Sequence, residues 1–463
     1  MSFPRYPKYK DSGVEWLGKV PEHWRTMQLR FLLLDGKDGI RIGPFGSSIK
    51  IEHLVSEGIK VYGQENVIYR DFEAGDRRIT EGHFCELSEY EIRGGDVLVT
   101  MAGTAGRCQA VPDRVEKGII DSHLVRMRFP TEGVHAPFIP HLIESAAYVV
   151  AQIQVAWRGT TMQGLNSTII KHLAIAIPGL DEQRAIFSFL DRETAKIDAL
   201  IAEQQRLIEL LQEKRQAVIS HAVTKGLNPD APMKNSGIEW LGEVPEHWDV
   251  MPVKYLVASI EQGWSPQCDG FPVQDESEWG VLKVGCVNGG VFNPQENKSL
   301  PPELSPIPKL GIASGDLLVS RANTRDLVGS AAVADRDYPR LLLCDKVYRL
   351  RLDRHRCSPT FLSLFLASRA AREPIELGAT GASASMVNIG QSVILNLIAG
   401  VPPVAEQCAV VQHVADMLTR LSALETEAHH AVAVLQERRS ALISAAVTGQ
   451  IDIRNYTSEG AAA

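Results

Sequence analysis

The chain has few of the features that mark secreted, membrane or metal-binding proteins. Its seven cysteines are scattered, odd in number and without a Cys-x-x-Cys pair, which argues against both a disulfide framework and a zinc site. No apolar run reaches the length of about 18 residues that a membrane-spanning helix needs, and the N-terminus lacks the apolar stretch of a signal peptide. We therefore expect a cytoplasmic protein without membrane association, whose cysteines are buried as small hydrophobic side chains.

Catalytic motifs are also missing. The sequence contains no Gly-x-x-x-x-Gly-Lys-Ser/Thr phosphate loop and no His-Glu-x-x-His motif. It also lacks the Asn/Asp-Pro-Pro-aromatic motif with which adenine methyltransferases hold a flipped base. Asp113 and Glu116 lie too close together in the sequence for a nuclease site. The sequence thus predicts no catalytic residue and no bound metal or cofactor in this chain.

Positive charge is in deficit, because 48 Lys and Arg face 56 Asp and Glu and leave a formal net charge of −8. Such a balance is awkward for a nucleic-acid reader, since affinity for phosphates comes mainly from Lys and Arg. The acids concentrate in 191–213 and 425–437, however, and the segment 349–356 carries four arginines beside one aspartate. A local basic surface on an acidic protein therefore remains open.

The dominant feature of the chain is an internal repeat with an offset of 224 positions, as from Trp24 to Trp248. The segment 11–24 returns as 235–248, and the segment 211–224 returns as 435–448. Since both matches share one offset, the whole half is duplicated, and 463 residues exceed what one hydrophobic core accommodates. The halves diverge between these anchors, which predicts a duplicated frame that holds two different recognition heads.

Two long helices are predicted at equivalent places in the halves. The segment from 181 to about 224 contains no Gly or Pro and is rich in helix formers. Apolar residues recur there at heptad-like spacing, at Ile197, Leu200, Leu207, Leu211 and Val218, and in the second half at Leu421, Leu424, Leu435 and Leu442. A helix of about 60 Å needs a partner along its length. We expect an antiparallel coiled coil with a pseudo-two-fold axis; the alternative is that each helix packs on its own domain.

Each insert between the anchors is predicted to be a mixed α/β domain. Strands are expected at 59–62, 96–100, 124–129 and 173–177, with matching pieces at 281–284, 316–320, 347–352 and 394–398. A single helix is expected at 136–152 and another at 359–372. The fold class is therefore mixed α+β, with two globular domains separated by the two long helices. The predicted bounds are 1–178 for the first frame segment and head, 179–228 for the first spacer, 229–402 for the second frame segment and head, 403–454 for the second spacer, and 455–463 for a disordered tail.

Loops rich in hydroxyl, amide and basic side chains occur in both heads. Such side chains donate to phosphates and base edges, although Gly-Ser-Thr loops are also common as plain tight turns. In the first head the candidate DNA-binding residues are Arg41, Phe45, Ser47, Ser48, Lys50, Thr104, Arg107, Arg158, Thr160, Thr161 and Gln163. In the second head they are Trp264, Ser265, Gln267, Arg321, Asn323, Arg325, Ser383 and Ser385. For Trp264, a half-buried core position is at least as good an interpretation.

In combination these motifs resemble the specificity subunit of type I restriction-modification systems. The resemblance rests on Gly43-Pro-Phe-Gly-Ser-Ser48, on Gly95-Asp-Val-Leu-Val-Thr100 with its following glycines, on Arg158-Gly-Thr-Thr-Met162, and on Pro-x-x-x-Glu-Gln helix entries at 178–183 and 402–407. It covers about residues 10 to 454. The second head departs from the pattern, because Gly263-Trp-Ser-Pro266 stands where the family has Gly-Pro-Phe-Gly-Ser.

The resemblance implies two target recognition domains, each of which reads one half of a bipartite double-stranded DNA target, held apart by a coiled-coil spacer. It implies partner subunits as well: two methyltransferase (M) subunits that bind S-adenosylmethionine and methylate adenine N6, and restriction (R) subunits that use ATP and Mg. The chain itself would bind no cofactor. Two rival hypotheses are a tandem-domain protein-interaction scaffold without DNA specificity and a stand-alone nucleic-acid enzyme.

Overall fold

The computed structural model describes residues 3–101, 103–158, 165–383, 386–454 and 456, without the side chains of residues 157, 158, 382 and 383. The chain divides into two compact units. Residues 1–204 and 430–463 form one unit, and residues 205–429 form the other. Each unit contains one head and a part of each long helix, and the first unit is built from both ends of the chain.

The first head (residues 25–177) is built on two four-stranded sheets. One sheet is antiparallel, with the strand order Ile40–Ile42, Leu124–Met127, Val97–Thr100, Cys108–Ala110. The other contains one parallel pair and has the order Gly118–Ile120, Ile59–Tyr62, Arg78–Ile79, Leu54–Val55. Two-stranded ribbons pair Arg25–Gln28 with Ala174–Ile177, and Tyr9–Asp11 with Lys19–Pro21.

The second head (residues 249–401) repeats this plan. Its antiparallel sheet has the order Val257–Gln262, Val347–Leu352, Leu317–Ser320, Ala331–Val333. Its second sheet has the order Asn297–Ser299, Gly280–Leu282, Tyr338–Leu342, Gly311–Ile312. The remaining strands are Met233–Asn235 with Glu243–Pro245, Asp249–Pro252 with Ile398–Val401, and a three-stranded sheet of Ala322–Asn323, Met386–Asn388 and Thr380–Ser383.

The two long helices run over Leu180–Lys225, here called the first long helix, and Val404–Val447, the second long helix. The heads carry short α-helices at Gln64–Ile68, Glu81–Glu86, Ile139–Ser145, Ala147–Arg158, Ser167–His172, Pro359–Ala367, Arg369–Leu377 and Gln391–Leu395. Single 3-10 turns lie at Leu29–Phe31, Gly46–Ser48, Ile51–His53, Ser88–Tyr90, Ala136–Phe138, Val253–Tyr255 and Pro308–Leu310. A longer 3-10 segment, Val284–Gly290, is kinked at Asn288 and Gly289.

Three details of the predicted heads are wrong. The helices expected at 136–152 and 359–372 are each broken in two, because Ala146 and Ser368 adopt extended backbone that ends the first helical segment. The strand expected at 394–398 is also wrong. Gln391–Leu395 forms a helical turn that buries Ile394, and the strand begins only at Ile398, where it pairs with Pro252. With the repeat offset of 224, the counterpart of the strand expected at 173–177 is 397–401. The strand expected at 394–398 is therefore placed three residues too early in the sequence.

The long helices pair in antiparallel fashion within each unit. In the first unit Arg439 contacts Asp198, and Ile186 and Ile443 belong to one apolar core. In the second unit Arg215 contacts Ser422, and Val410 and Ile219 share a core. Positions late in one helix thus face positions early in the other, and the 224-residue offset carries each pair of the first unit onto its counterpart in the second. The predicted fold class, a mixed α+β fold with an internal repeat, two globular domains and two long antiparallel helices, is confirmed.

The heptad positions differ in burial along these helices. Ile197, Leu211 and Leu421 are buried, whereas Leu200, Leu207 and Leu424 are between 40% and 54% exposed. Val218, Leu435 and Leu442 are half-buried. A two-helix seam covers a narrower stripe than the apolar residues occupy, so part of the stripe remains at the surface.

The cysteines are only partly the buried small side chains that we expected. Cys108, Cys286, Cys344 and Cys357 are buried, but Cys85 and Cys408 are exposed because they lie on outward-facing positions of helices. Within the described residues, no helix combines the length and the apolar character that crossing a membrane requires. No group of three or more His, Cys, Asp or Glu side chains in the same part of the chain is arranged to hold a metal ion.

Candidate nucleic-acid interface

The candidate loops of each head leave one end of its antiparallel sheet. In the first head Ile42 is paired with Val125 and Thr100 with Leu124, so the segments that follow Ile42 and Thr100 emerge side by side. In the second head Gln262 is paired with Tyr348 and Ser320 with Val347. The segments that follow Gln262 and Ser320 therefore also emerge side by side. Candidate residues that are about 60 positions apart in sequence are therefore brought to one surface.

A glycine fixes the start of the first loop in each head. A Cβ atom on Gly43 would stand 1.8 Å from the carbonyl oxygen of Asp121, and one on Gly263 would stand 1.9 Å from that of Leu343. Any larger residue would force the loop away from the neighbouring strand. Gly263 thus takes the place of Gly43 although the sequences that follow differ, and the two loops are structurally equivalent.

The tip of the first loop displays an aromatic, a hydroxyl and a basic side chain to solvent. Phe45 is 86% exposed, and Ser47 and Lys50 are exposed as well. Ser48 is half-buried because its carbonyl oxygen faces Nδ1 of His53 at 3.1 Å and Nε2 of His83 at 2.8 Å. The two imidazole rings, with centroids 4.6 Å apart, therefore support the turn that carries Ser47. Sequence reasoning had missed both histidines.

The other described candidates of the first head differ from one another in exposure and in ion pairing. Thr104 is exposed in a turn flanked by Gly103 and Gly106, both of which have positive φ. Arg107 is half-buried, with Nε 3.8 Å from the carboxylate of Glu144. Arg41 lies on the strand before the loop, and its guanidinium is paired with Glu89 at 2.7 Å.

In the second head, three loop residues form hydrogen bonds with Asp345. Its carbonyl oxygen accepts hydrogen bonds from Gln262 at 3.1 Å and from Arg321 at 3.2 Å, and its carboxylate bonds to the hydroxyl of Ser265. In the first head Asp121, which precedes the strand at Leu124, pairs with Arg77 at 3.0 Å. Sequence reasoning had missed both aspartates, because each acts on loop residues that are distant along the chain.

Three other candidates of the second head occupy different environments. Trp264 is half-buried against the apolar core around Leu343, as the core interpretation requires. Asn323 is buried, and its amide bonds to Asn288 and to the backbone of Thr324. Gln267 and Arg325 are exposed and face solvent with Ser265.

Several candidates fall outside the described residues. They are Thr160, Thr161, Gln163 and Ser385, and for Arg158 and Ser383 the side chains are not described. The segment 349–356, for which the sequence left a local basic surface open, contains three exposed arginines, Arg351, Arg354 and Arg356, and one buried arginine. Arg349 is 1% exposed and pairs with Glu261 and Asp316, and Arg351 also pairs with Asp316 at 3.0 Å, because alternate strand positions face the same carboxylates.

The chain matches known proteins along both of its halves. A family model described as the type I restriction modification DNA specificity domain matches residues 48–210. The EcoEI specificity subunit of Escherichia coli is 28% identical over 49% of this chain and 39% of its own length. The EcoKI specificity subunit of Escherichia coli K12 is 22% identical over 70% of this chain and 67% of its own length. The chain is therefore similar to specificity subunits of type I restriction enzymes over part of its length. It spans only about two fifths of the EcoEI subunit's length.

A solved structure supports the fold over nearly the whole chain. A chain from work on assembly and conformational transition of the type I R-M system superposes with a TM-score of 0.66 at 17% identity, over 92% of this chain and 98% of that one. Because the sequence identity is so low, the superposition supports the architecture but not the roles of individual loop residues.

The Glu-Gln helix entries, part of the family resemblance, bind the frame to the helices. Glu182 accepts hydrogen bonds from the Tyr6 hydroxyl at 2.6 Å and from Trp24 Nε1 at 3.1 Å, and it lies 2.8 Å from His23 Nε2. In the second unit Glu406 accepts a hydrogen bond from Trp248 Nε1 at 3.1 Å and lies 2.8 Å from His247 Nε2. The duplicated Pro-Glu-His-Trp motif is therefore explained as the pair of donors that each helix entry binds.

The glutamine of each entry joins its head to the start of the helix. The Gln183 side chain is fully buried, accepts from the backbone of His135 at 2.8 Å and donates to the carbonyl of Pro178 at 3.0 Å. Gln407 repeats this with the backbone of Ser358 at 2.8 Å and the carbonyl of Pro402 at 2.9 Å. A buried amide with both ends satisfied fixes the direction in which the helix leaves the head.

Proposed function

We propose that the chain is the non-catalytic DNA-specificity subunit of a type I restriction-modification complex. Each head reads one half of a bipartite double-stranded target through the loops at one end of its antiparallel sheet. The long helices set the spacing of the half-sites and dock the methyltransferase subunits.

One observation carries this proposal. The antiparallel sheets of the two heads share one strand order and a glycine-anchored loop, yet the loops display Phe45, Ser47 and Lys50 in one head and Ser265 and Gln267 in the other. A scaffold that binds one partner twice would be expected to keep these side chains alike. Different exposed loop side chains on equivalent antiparallel sheets are the pattern of two readers with different targets.

The catalytic chemistry belongs to partner subunits under this proposal. Two M subunits bind S-adenosylmethionine and methylate adenine N6, and R subunits translocate and cleave DNA with ATP and Mg. The formal charge of −8 supports this division, since most phosphate contacts would have to come from the partners. The chain contributes the recognition of sequence and the framework for assembly.

The test is binding by the full chain with its M partner, using a duplex whose two half-sites are known from methylation mapping. Removing Lys50 (Lys50→Ala) should weaken binding and lower the salt dependence by about one ion, because one phosphate contact is lost. Ser47→Ala should relax discrimination at one half-site only, by about tenfold for a lost base contact. Gln267→Ala should do the same at the other half-site.

The matched control is Lys37→Ala, which removes an exposed lysine that precedes the edge strand Ile40–Ile42, whereas the loop follows that strand. It should leave specificity at both half-sites unchanged. If Ser47→Ala and Gln267→Ala affected the same half-site, or if binding ignored sequence and salt, the scaffold hypothesis would replace this one. Methylation or cleavage by the purified chain alone would favour the stand-alone enzyme.

A further inference from the structure

The first head contains a pair of arginines in an unfavourable arrangement. Arg126 on the central strand stands directly opposite Arg41 on the edge strand of the antiparallel sheet. Residues directly opposite each other project from the same face, where like charges repel. Arg126 is only 2% exposed, so water does not screen the repulsion.

The surrounding carboxylates are used by other cations. Glu89 pairs with Arg41 at 2.7 Å, and Asp96 pairs with Arg128 at 2.6 Å. Among the described residues, the Arg126 side chain donates only to the backbone carbonyl of Glu91, at 2.5 Å. The carboxylate of Glu91 is instead directed to Arg93, at 3.1 Å. Two carboxylates are therefore paired within this cluster of three guanidinium groups, and the exposed Asp38 acts on Arg126 without pairing with it.

Three donor atoms of this pair are buried without a partner. They are Nε and Nη2 of Arg126 and Nε of Arg41, none of which has a hydrogen-bond acceptor among the described residues. Leaving buried charged donors unsatisfied is costly in free energy, and native proteins avoid it. In the described part of the chain, five buried side-chain nitrogen or oxygen atoms lack a hydrogen-bond partner. Three of them belong to this arginine pair, and the other two belong to Thr26 and Gln28.

In the second head, a carboxylate neutralises the arginine that corresponds to Arg126. Glu261 stands opposite Arg349 at the equivalent place in the equivalent sheet and pairs with its guanidinium. Arg349 also lies 3.6 Å from Asp316 and donates to the carbonyl of Gly311 at 2.7 Å. Arg349 and Arg351 thus face Glu261 and Asp316, and the charges balance.

Loss of a proton does not remove the excess charge. Burial lowers the pKa of Arg126 to about 10, and the neighbouring Arg128 and Arg41 lower it as well, whereas Asp96 and Asp38 oppose them. At neutral pH the side chain is still cationic. The first head therefore holds a buried positive charge where the second head holds an ion pair.

We propose that the first head binds one small oxyanion between Arg41 and Arg126, at the position that the Glu261 carboxylate takes in the second head. Two guanidinium groups offer the parallel N–H donors that match the oxygens of phosphate, sulfate or a carboxylate. The burial of Arg126 keeps a duplex backbone from direct approach, so the anion comes from solution.

The test is titration of the full chain, without DNA, with inorganic phosphate against sodium chloride of equal ionic strength. Thermal unfolding should shift upward by about 5 °C at a hundredfold excess over Kd, because a ligand that binds only the native state stabilises it. Isothermal titration calorimetry should give one phosphate per chain. Equal shifts with phosphate and chloride, together with no calorimetric binding, would overturn the proposal.

Variants test the position of the site. Arg41→Glu recreates the pair of the second head, so it should fold without added anion and lose the phosphate-dependent shift. The control Arg114→Ala removes an exposed arginine of the same head and should retain the full shift. In the second head Glu261→Arg should bring the calorimetric stoichiometry to two. Retention of the full phosphate response by Arg41→Glu would place the anion elsewhere and refute the assignment.

Discussion

Arg439 of the second long helix holds Asp198 of the first by two contacts, with Nε 2.8 Å from Oδ1 and Nη2 3.2 Å from Oδ2. Moving both residues by 224 positions along the repeat gives Ser422 and Arg215, which are also in contact, with Nη2 of Arg215 2.7 Å from the Ser422 hydroxyl. The duplication has kept the place of the contact and changed one partner from a carboxylate to a hydroxyl.

Converting Ser422 to aspartate should therefore install the missing ion pair. The side chains of the existing pair are 29% and 50% exposed, so we expect a coupling of only about 0.5 kcal/mol. A double-mutant cycle of Ser422→Asp with Arg215→Ala, followed by urea unfolding, measures it, with the Asp198 and Arg439 cycle as reference. The coupling should shrink at high salt; a coupling that grew with salt would contradict an ionic origin.

Removing the Glu182 carboxylate should destabilise the first unit. Glu182→Ala leaves the fully buried Trp24 indole N–H without its acceptor and should cost about 2 kcal/mol in free energy of unfolding. Glu406→Ala should cost the second unit less, because the Glu406 side chain is 29% exposed against 9% for Glu182. Asp181→Ala, at a fully exposed neighbour, is the control and should be nearly neutral. Equal effects at 181 and 182 would reject the role of the carboxylate.

Acid should weaken the first unit through His141. Burial lowers the pKa of this histidine to about 4, with Arg70 and Arg439 contributing, whereas in the unfolded chain it titrates near 6.5. The unfolded state thus takes up the proton first, so the stability present above pH 6.5 is lost as the pH falls toward 4. The loss is up to about 3 kcal/mol, at 1.36 kcal/mol per pKa unit. Urea unfolding between pH 7 and 4.5 should show a smaller decline for His141→Gln, and an unchanged one for the exposed His172→Gln.

Lengthening the paired helices should lengthen the gap between the half-sites. Four residues inserted at facing positions of both helices add about 6 Å of rise, or at most about two base pairs. Seven residues keep the heptad phase and should add about three. Methylation mapping reads the gap directly. An unchanged gap would refute the spacer role of the helices, while leaving the two heads as independent readers.

Much of the architecture was readable because it repeats. Two occurrences of one motif at a constant offset predicted the duplicated halves, and the absence of Gly and Pro together with heptad spacing predicted both long helices. The Glu-Gln entries were visible as a pattern, but their role was not. Only the coordinates put Glu182 beside Trp24, because residues 158 positions apart meet through the fold of the head between them.

The sequence by itself determined the repeat and the two long helices, since local propensity and apolar period are properties of neighbouring residues. Tertiary structure alone decided the charge balance and the grouping of the loops. Arg126 and Arg349 occupy similar strands and read alike in sequence, yet one faces Arg41 and the other Glu261. Which side chains stand opposite each other depends on the register of strands that are distant along the chain, and that register is set by packing of the whole domain.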